Sequence, residues 1–145
     1  MLLYASCAAR PGPGDCLDAV LLLGPSGSGK SDLLLRLLHR GWQMVADDQV
    51  QVENGIASPT AALAGILEVR GLGLFRFPFA PAATLRVAVS LGIQITRLPE
   101  PERHETLGIP VVTIDPGQNS APERLALALD AACGRAQNIA GAFAA

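Results

Sequence analysis

Lysine occurs once in 145 residues, at Lys30, although the chain carries ten arginines. Aromatic residues are scarce at 4%, and charged residues reach only 17%, with 11 cations against 13 anions. The resulting charge of −2 leaves no basic excess for a phosphate backbone, which argues against a general nucleic-acid binder. No apolar run approaches the roughly 18 residues that a spanning helix needs, so no membrane segment is expected. The apolar start at residues 1–3 is too short for a signal peptide and lacks a basic flank. Cys7, Cys16 and Cys133 are irregularly spaced, with no C-x-x-C pair and no His/Cys metal cluster. An odd count fits reduced thiols in the cytoplasm. There is no internal repeat and no linker. Half of the residues are hydrophobic, enough for a core, and the length suits one compact domain over 1–145.

Periodicity and punctuation set out the elements. Residues 8–15, with two prolines and two glycines, read as a surface loop. Leu17–Leu23 is a continuous apolar run suited to a strand buried on both faces. A helix is expected over residues 30–40, with Leu34, Leu37 and Leu38 on one face and Gly41 as its stop. Gln43–Ala46 is a short strand ending at Asp47-Asp48. Residues 49–53 alternate polar and apolar before Asn54-Gly55, a dipeptide suited to a type I′ hairpin turn. Residues 56–58 return from it, Ile66–Val69 is a further strand, and 110–114 another. Residues 84–91 alternate as a half-buried antiparallel strand. Ser120-x-x-Glu123 reads as a capping box opening a helix over 121–135. Residues 136–145 read as a frayed tail. The sum is an α/β domain with a mixed sheet and few helices.

Gly24, Pro25, Ser26, Gly27, Ser28, Gly29, Lys30 and Ser31 fit G-x-x-x-x-G-K-[ST] at every fixed position. Glycines let successive N–H groups turn toward a phosphate, and the following helix adds the positive end of its dipole. Lys30 suits the β- and γ-phosphates, and the Ser31 hydroxyl suits Mg²⁺. The lone lysine of an arginine-rich chain therefore stands at the one position where this motif requires it. In such proteins a strand-end acid serves the metal, and adjacent acids on a strand point to opposite faces, so only one of Asp47 and Asp48 aims straight at the site. Glu68 and Arg70 share a strand face. Spacing alone fits either a surface ion pair or a metal and phosphate site there. Arg97, His104 and the acids of 100–105 read as a polar loop, and neither His39 nor His104 accompanies a nucleophile motif.

In order and at short spacing, the loop, Val45-Ala46-Asp47-Asp48, and Leu67-Glu68-Val69-Arg70-Gly71-Leu72-Gly73 resemble the catalytic domain of bacterial HPr kinase/phosphorylase over about residues 2–130. The Glu-Val-Arg-Gly-Leu-Gly segment is the distinguishing part. The pattern is similar to the short alphaproteobacterial form, without the separate N-terminal domain. The resemblance implies a P-loop fold of the phosphoenolpyruvate carboxykinase-like type and phosphorylation of a serine on HPr, the phosphocarrier of the sugar phosphotransferase system. It also implies a cytoplasmic homo-oligomer, hexameric in the full-length family. ATP would bind at 24–31, and Ser31, Glu68 and Asp47 would hold Mg²⁺. Asp48 would be the base, with Lys30, Arg97 and Arg70 completing the catalytic set. Carrier docking near the C-terminal helices is implied as well.

Two positions depart from the family pattern. Tyr4 stands where a His is usual, and a phenol of pKa about 10 cannot copy a neutral-pH imidazole. Gln118, in 114–119 (IDPGQN), replaces the arginine of a Pro-Gly-Arg-Asn segment. Both count against the reverse, phosphorylase direction more than against the kinase direction. They also motivate an alternative, a module that senses ATP and signals through a partner without transferring phosphate. A small-molecule kinase is a weaker reading, because no Arg-rich lid segment is present.

Overall fold

The computed structural model describes residues 1–144. Ten strands and two α-helices follow in the order β1 (Leu2–Leu3), β2 (Ser6–Pro11), β3 (Leu17–Leu23), α1 (Lys30–Leu38), β4 (Gln43–Ala46), β5 (Val50–Glu53), β6 (Ile56–Pro59), β7 (Ile66–Val69), β8 (Gly73–Arg76), β9 (Ala83–Leu91), β10 (Val111–Ile114) and α2 (Ala121–Ala132), with a 3₁₀ turn at Ala61–Leu63. The main sheet runs β1-β5-β6-β9-β3-β2-β4, with β10 beside β9, and β7-β8 forms a separate hairpin. This is the mixed sheet with few helices that the sequence implied. No helix among the described residues is long and apolar enough to cross a membrane.

The apolar run of β3 is buried on both faces. Val20 and Leu22 join Leu33, Leu34 and Leu37 of α1 and Leu125 and Leu129 of α2 in one cluster. Ala19 and Leu21 face a second cluster with Val45, Val50, Val52 and Leu85. Both helices therefore cover one face of the sheet, and small and β-branched residues close the other. Each such leucine contributes about 1.5–3 kcal/mol by leaving water. Asn54 and Gly55 sit at φ 51° and 75°, the left-handed pair of a type I′ turn, and they set the β5–β6 register Glu53↔Ile56.

Three expectations are corrected. Ala8, Ala9 and Arg10 are not loop: they belong to β2, antiparallel to β3 from Ser6↔Leu22 to Pro11↔Leu17, and the connection is only residues 12–16. The Pro/Gly cluster marks the turn and not the strand ahead of it. Gly12 is required there, since a Cβ would lie 2.3 Å from the Asp18 carboxylate. Second, β9 is not a half-buried antiparallel strand. It runs parallel to β3 and β10 and meets only β6 antiparallel, at Ala83 and Thr84, so Val87, Ala88 and Val89 are all fully buried. Third, the capping box does not form. Ser120 Oγ accepts from Arg124 Nε at 2.8 Å, and Glu123 pairs instead with Arg40, just past α1, at 3.2 Å. Beyond α2 the described residues of the C-terminal segment fold back on the domain. The Phe143 N–H donates to Asn138 Oδ1 at 2.8 Å and its ring packs on the core, while Ala145 lies outside the described residues.

Candidate functional site

The connection from β3 to α1 turns on Gly27 and Gly29, at φ 83° and 100°, and the Ser28 N–H donates to the Pro25 carbonyl at 3.1 Å. Gly29 takes the N-cap position of α1 with no side-chain cap. The first helical N–H groups are thus left for an anion, with the helix dipole behind them. Lys30 Nζ donates to the carbonyls of Gly24 and Pro25, at 2.5 and 3.0 Å, folding the cation over its own loop. Pro116 packs 3.5 Å from where a Gly29 Cβ would sit.

β4 runs in the same direction as β3, because β2 is antiparallel to both. Asp47, just after β4, therefore arrives at the loop end of the sheet. It is 4% exposed. The Ser31 hydroxyl lies 3.0 Å from each of its oxygens, and the Ser6 hydroxyl donates to Oδ1 at 2.6 Å. No cation pairs with it among the described residues. Burial pushes the Asp47 carboxyl above its ordinary range; the two hydroxyl bonds oppose this and the neighbouring Asp48 charge adds to it. Asp48 is exposed and left-handed at φ 66°, which breaks strand alternation and turns the second acid to solvent.

A cavity of about 420 Å³ gathers Ser26, Gly27, Gly29, Lys30, Ser31, Asp47, Asp48, Glu68 and Arg70. The β7–β8 hairpin contributes the last two, from opposite the start of α1. Glu68 and Arg70 do not pair with each other; the ion pairs among the described residues lie elsewhere. The surface ion pair that spacing allowed is therefore not formed, and both side chains line the cavity. Hydroxyl and carboxylate oxygens dominate the donor set, a hard-cation chemistry. Among the described residues no three His, Cys, Asp or Glu side chains form a metal cage.

Arg97 is not brought here. It lines a larger cavity, of about 500 Å³, with Gln118, Asp115 and Arg124. That cavity holds none of the phosphate-loop residues, so chemistry rather than size marks the site. Tyr4 is 75% exposed. His104 Nδ1 accepts from the N–H groups of Thr106 and Leu107 and closes a local turn. Two contributors went unread in the sequence. Ser6 is one small residue in a run of small residues. Arg36 holds the Pro116 and Gln118 carbonyls, at 2.7 and 3.1 Å, and ties α1 to the 115–119 loop across 80 residues of chain. No local signal marks either.

Known proteins resemble this chain in sequence and in fold. The HPr kinase/phosphorylase of Xylella fastidiosa is 37% identical over 128 residues, covering 70% of this chain and 40% of that protein. The HPr kinase/phosphorylase of Clostridium tetani is 32% identical over 103 residues, covering 66% and 34%. The chain thus spans well under half the length of these relatives. The structure of the Hpr(Ser) kinase/phosphatase from Coxiella burnetii superposes with a TM-score of 0.65 at 23% identity, covering 86% of each chain, and shows the shared fold. Residues 17–115 match the family model of the HPr serine kinase C-terminal domain, from the strand ahead of the phosphate loop to the end of β10, and the chain belongs to that family.

Proposed function

We propose that this chain is an ATP- and Mg²⁺-dependent protein serine kinase acting on an HPr-type phosphocarrier. The observation that carries the reading is the convergence of Lys30, Ser31, both acids, Glu68 and Arg70 on one cavity. The uncapped start of α1 and the glycine turn bind the β- and γ-phosphates. Lys30 exchanges its two carbonyl partners for phosphate oxygens. Asp48, exposed at the cavity, accepts the proton of the acceptor serine as its oxygen attacks the γ-phosphorus. The bond to the β-phosphate oxygen breaks and ADP leaves with that electron pair. Arg70 is the arginine of this cavity for the developing charge; Arg97 lies apart from it. Ser31, Asp47 and Glu68 fit Mg²⁺, which takes few protein oxygens and shares the rest with phosphates and water. The ion supplies charge neutralisation on the phosphate oxygens.

The reverse reaction has less support. Tyr4 is exposed and lies outside the residues that line the cavity. Gln118 lines the other cavity and brings no charge.

Incubation with ATP, Mg²⁺ and HPr should yield phosphoserine, and Asp48→Asn should lower the rate by about 10²–10⁴-fold, the range for a general base. Tight ATP binding without transfer to any carrier would instead favour the sensing module.

A further inference from the structure

We propose that Ser6 is a positioning residue for the metal-side acid, a role that rests on the kinase reading above. Ser6 is fully buried at the start of β2, in register with Leu22, two residues before the phosphate loop. Its hydroxyl makes one hydrogen bond, to Asp47 Oδ1 at 2.6 Å. A neighbouring residue completes the hold: the Ala5 N–H donates to the Asp48 carbonyl at 3.1 Å, across the peptide that carries the left-handed Asp48. The start of β2 and the residue before it thus clamp both acids, one by side chain and one by backbone.

The need for such a clamp follows from the partners of Asp47. Both of its oxygens are also within 3.0 Å of the Ser31 hydroxyl, which has one proton to share between them. Once Ser31 turns its lone pairs to a cation, that proton is the only link left between the two side chains. Without Ser6, a buried carboxylate with no cationic partner would be free to change rotamer at the moment its direction matters. The Ser6 hydroxyl fixes Oδ1 and leaves Oδ2 for the metal side. Ser6 therefore acts through Asp47 and touches neither substrate nor metal. Groups that orient a ligand from behind in this way typically change metal affinity by 10–100-fold. Tyr4, at the position where the resemblance expects a His, is solvent-exposed two residues away. In this chain the segment contributes alignment in place of proton transfer.

The test is calorimetric titration of the full chain with ADP, with and without Mg²⁺, on wild type, Ser6→Ala and Ser6→Thr. The expected result is an affinity for Mg²⁺–ADP reduced about tenfold in Ser6→Ala, with metal-free ADP binding unchanged and Ser6→Thr restored toward wild type. A urea midpoint for each variant establishes that the fold is intact. Equal loss of metal-free and Mg²⁺–ADP binding, or wild-type binding in Ser6→Ala, overturns the proposal. So does a folded Ser6→Thr that behaves like Ser6→Ala. A wild type that binds Mg²⁺–ADP but fails to phosphorylate HPr sinks the kinase reading alone, and the Ser6 result stands as measured. A wild type that binds no nucleotide overturns both.

Discussion

Asp18 opens β3 and Asp47 follows β4, so the two buried aspartates sit at opposite ends of one sheet, at 1% and 4% exposure. Their surroundings differ completely. Asp18 takes Arg86 Nε at 2.9 Å and Arg135 Nη1 at 3.0 Å. Arg135 and Arg10 also hold Asp130 of α2, and Arg10 lies 5.1 Å over the Trp42 ring. Burial alone would raise the Asp18 carboxyl, but the two guanidinium bonds overcome it and hold it below its ordinary value. Among the described residues Asp47 is held by the Ser6 and Ser31 hydroxyls and the Asp48 backbone, with no cation, and burial lifts it. A carboxylate already satisfied by arginine has no spare capacity for a ligand. One with only neutral hydrogen-bond partners keeps room for a cation. On the proposed kinase reading, the contrast separates a structural acid from a functional one by partners rather than by depth.

The largest expected effects come from neutralising each acid in turn. Asp47→Asn should lower phosphotransfer by at least about a hundredfold, since it removes a metal-side carboxylate. Its urea midpoint should be equal to or higher than wild type, because a neutral amide suits that site better. Asp18→Asn should do the reverse: a stability loss of about 2–3 kcal/mol, with rate per folded molecule nearly unchanged. That loss sits below the value for a fully buried pair because the Arg86 and Arg135 side chains remain 44% and 32% exposed and can be rehydrated. Equal activity losses in both variants would dissolve the distinction.

Acidity tests the same contrast with opposite signs. Asp18 is depressed in the fold, so its stabilisation is present above the ordinary carboxyl value of about 3.9 and is lost as pH falls below it. Asp47 is raised, so its ionisation weakens the fold as pH climbs from that value through its elevated pKa. Asp47→Asn should therefore flatten the wild-type decline in urea midpoint on the alkaline side of about pH 4, and Asp18→Asn should flatten the decline on the acid side. If each variant flattens the other limb, the assignment is reversed.

Local signals made the phosphate end legible. Gly24, Gly27, Gly29, Lys30 and Ser31 are contiguous and chemically constrained, and Asn54-Gly55 fixes its turn within two residues. Glu68 and Arg70 were identified as a shared face, but only tertiary packing shows that the face belongs to the cavity. The Asp18 end carries no such signal. Its links join Arg10 to Asp130 and Asp18 to Arg135 across more than a hundred residues, between side chains that look like scattered surface charges in the sequence. The direction of β9 was hidden for the same reason: alternation reports burial, not which neighbour pairs or which way it runs. Arg97 was placed by resemblance, and the path of residues 92–110 beside β10 carries it elsewhere.

The smallest effects lie along α2, which spans both ends. Its C-terminal half is anchored by Asp130, whose carboxyl faces desolvation but is held low by Arg10 and Arg135. Removing this partner with Asp130→Asn should cost about 1 kcal/mol, as expected for a charge-assisted bond at a partly exposed site. The N-terminal half has only the motif of a cap. A capping serine is worth about 1 kcal/mol, and the gain comes from its oxygen accepting a helix N–H. Ser120 Oγ instead accepts from Arg124, and the Glu123 carboxylate that should reach back is engaged by Arg40. Ser120→Ala should therefore cost less than about 0.5 kcal/mol, the range of an ordinary surface change. A urea-measured loss near 1 kcal/mol would mean that the cap forms in solution, and that α2 is secured equally at its two ends rather than chiefly through the Asp18 cluster.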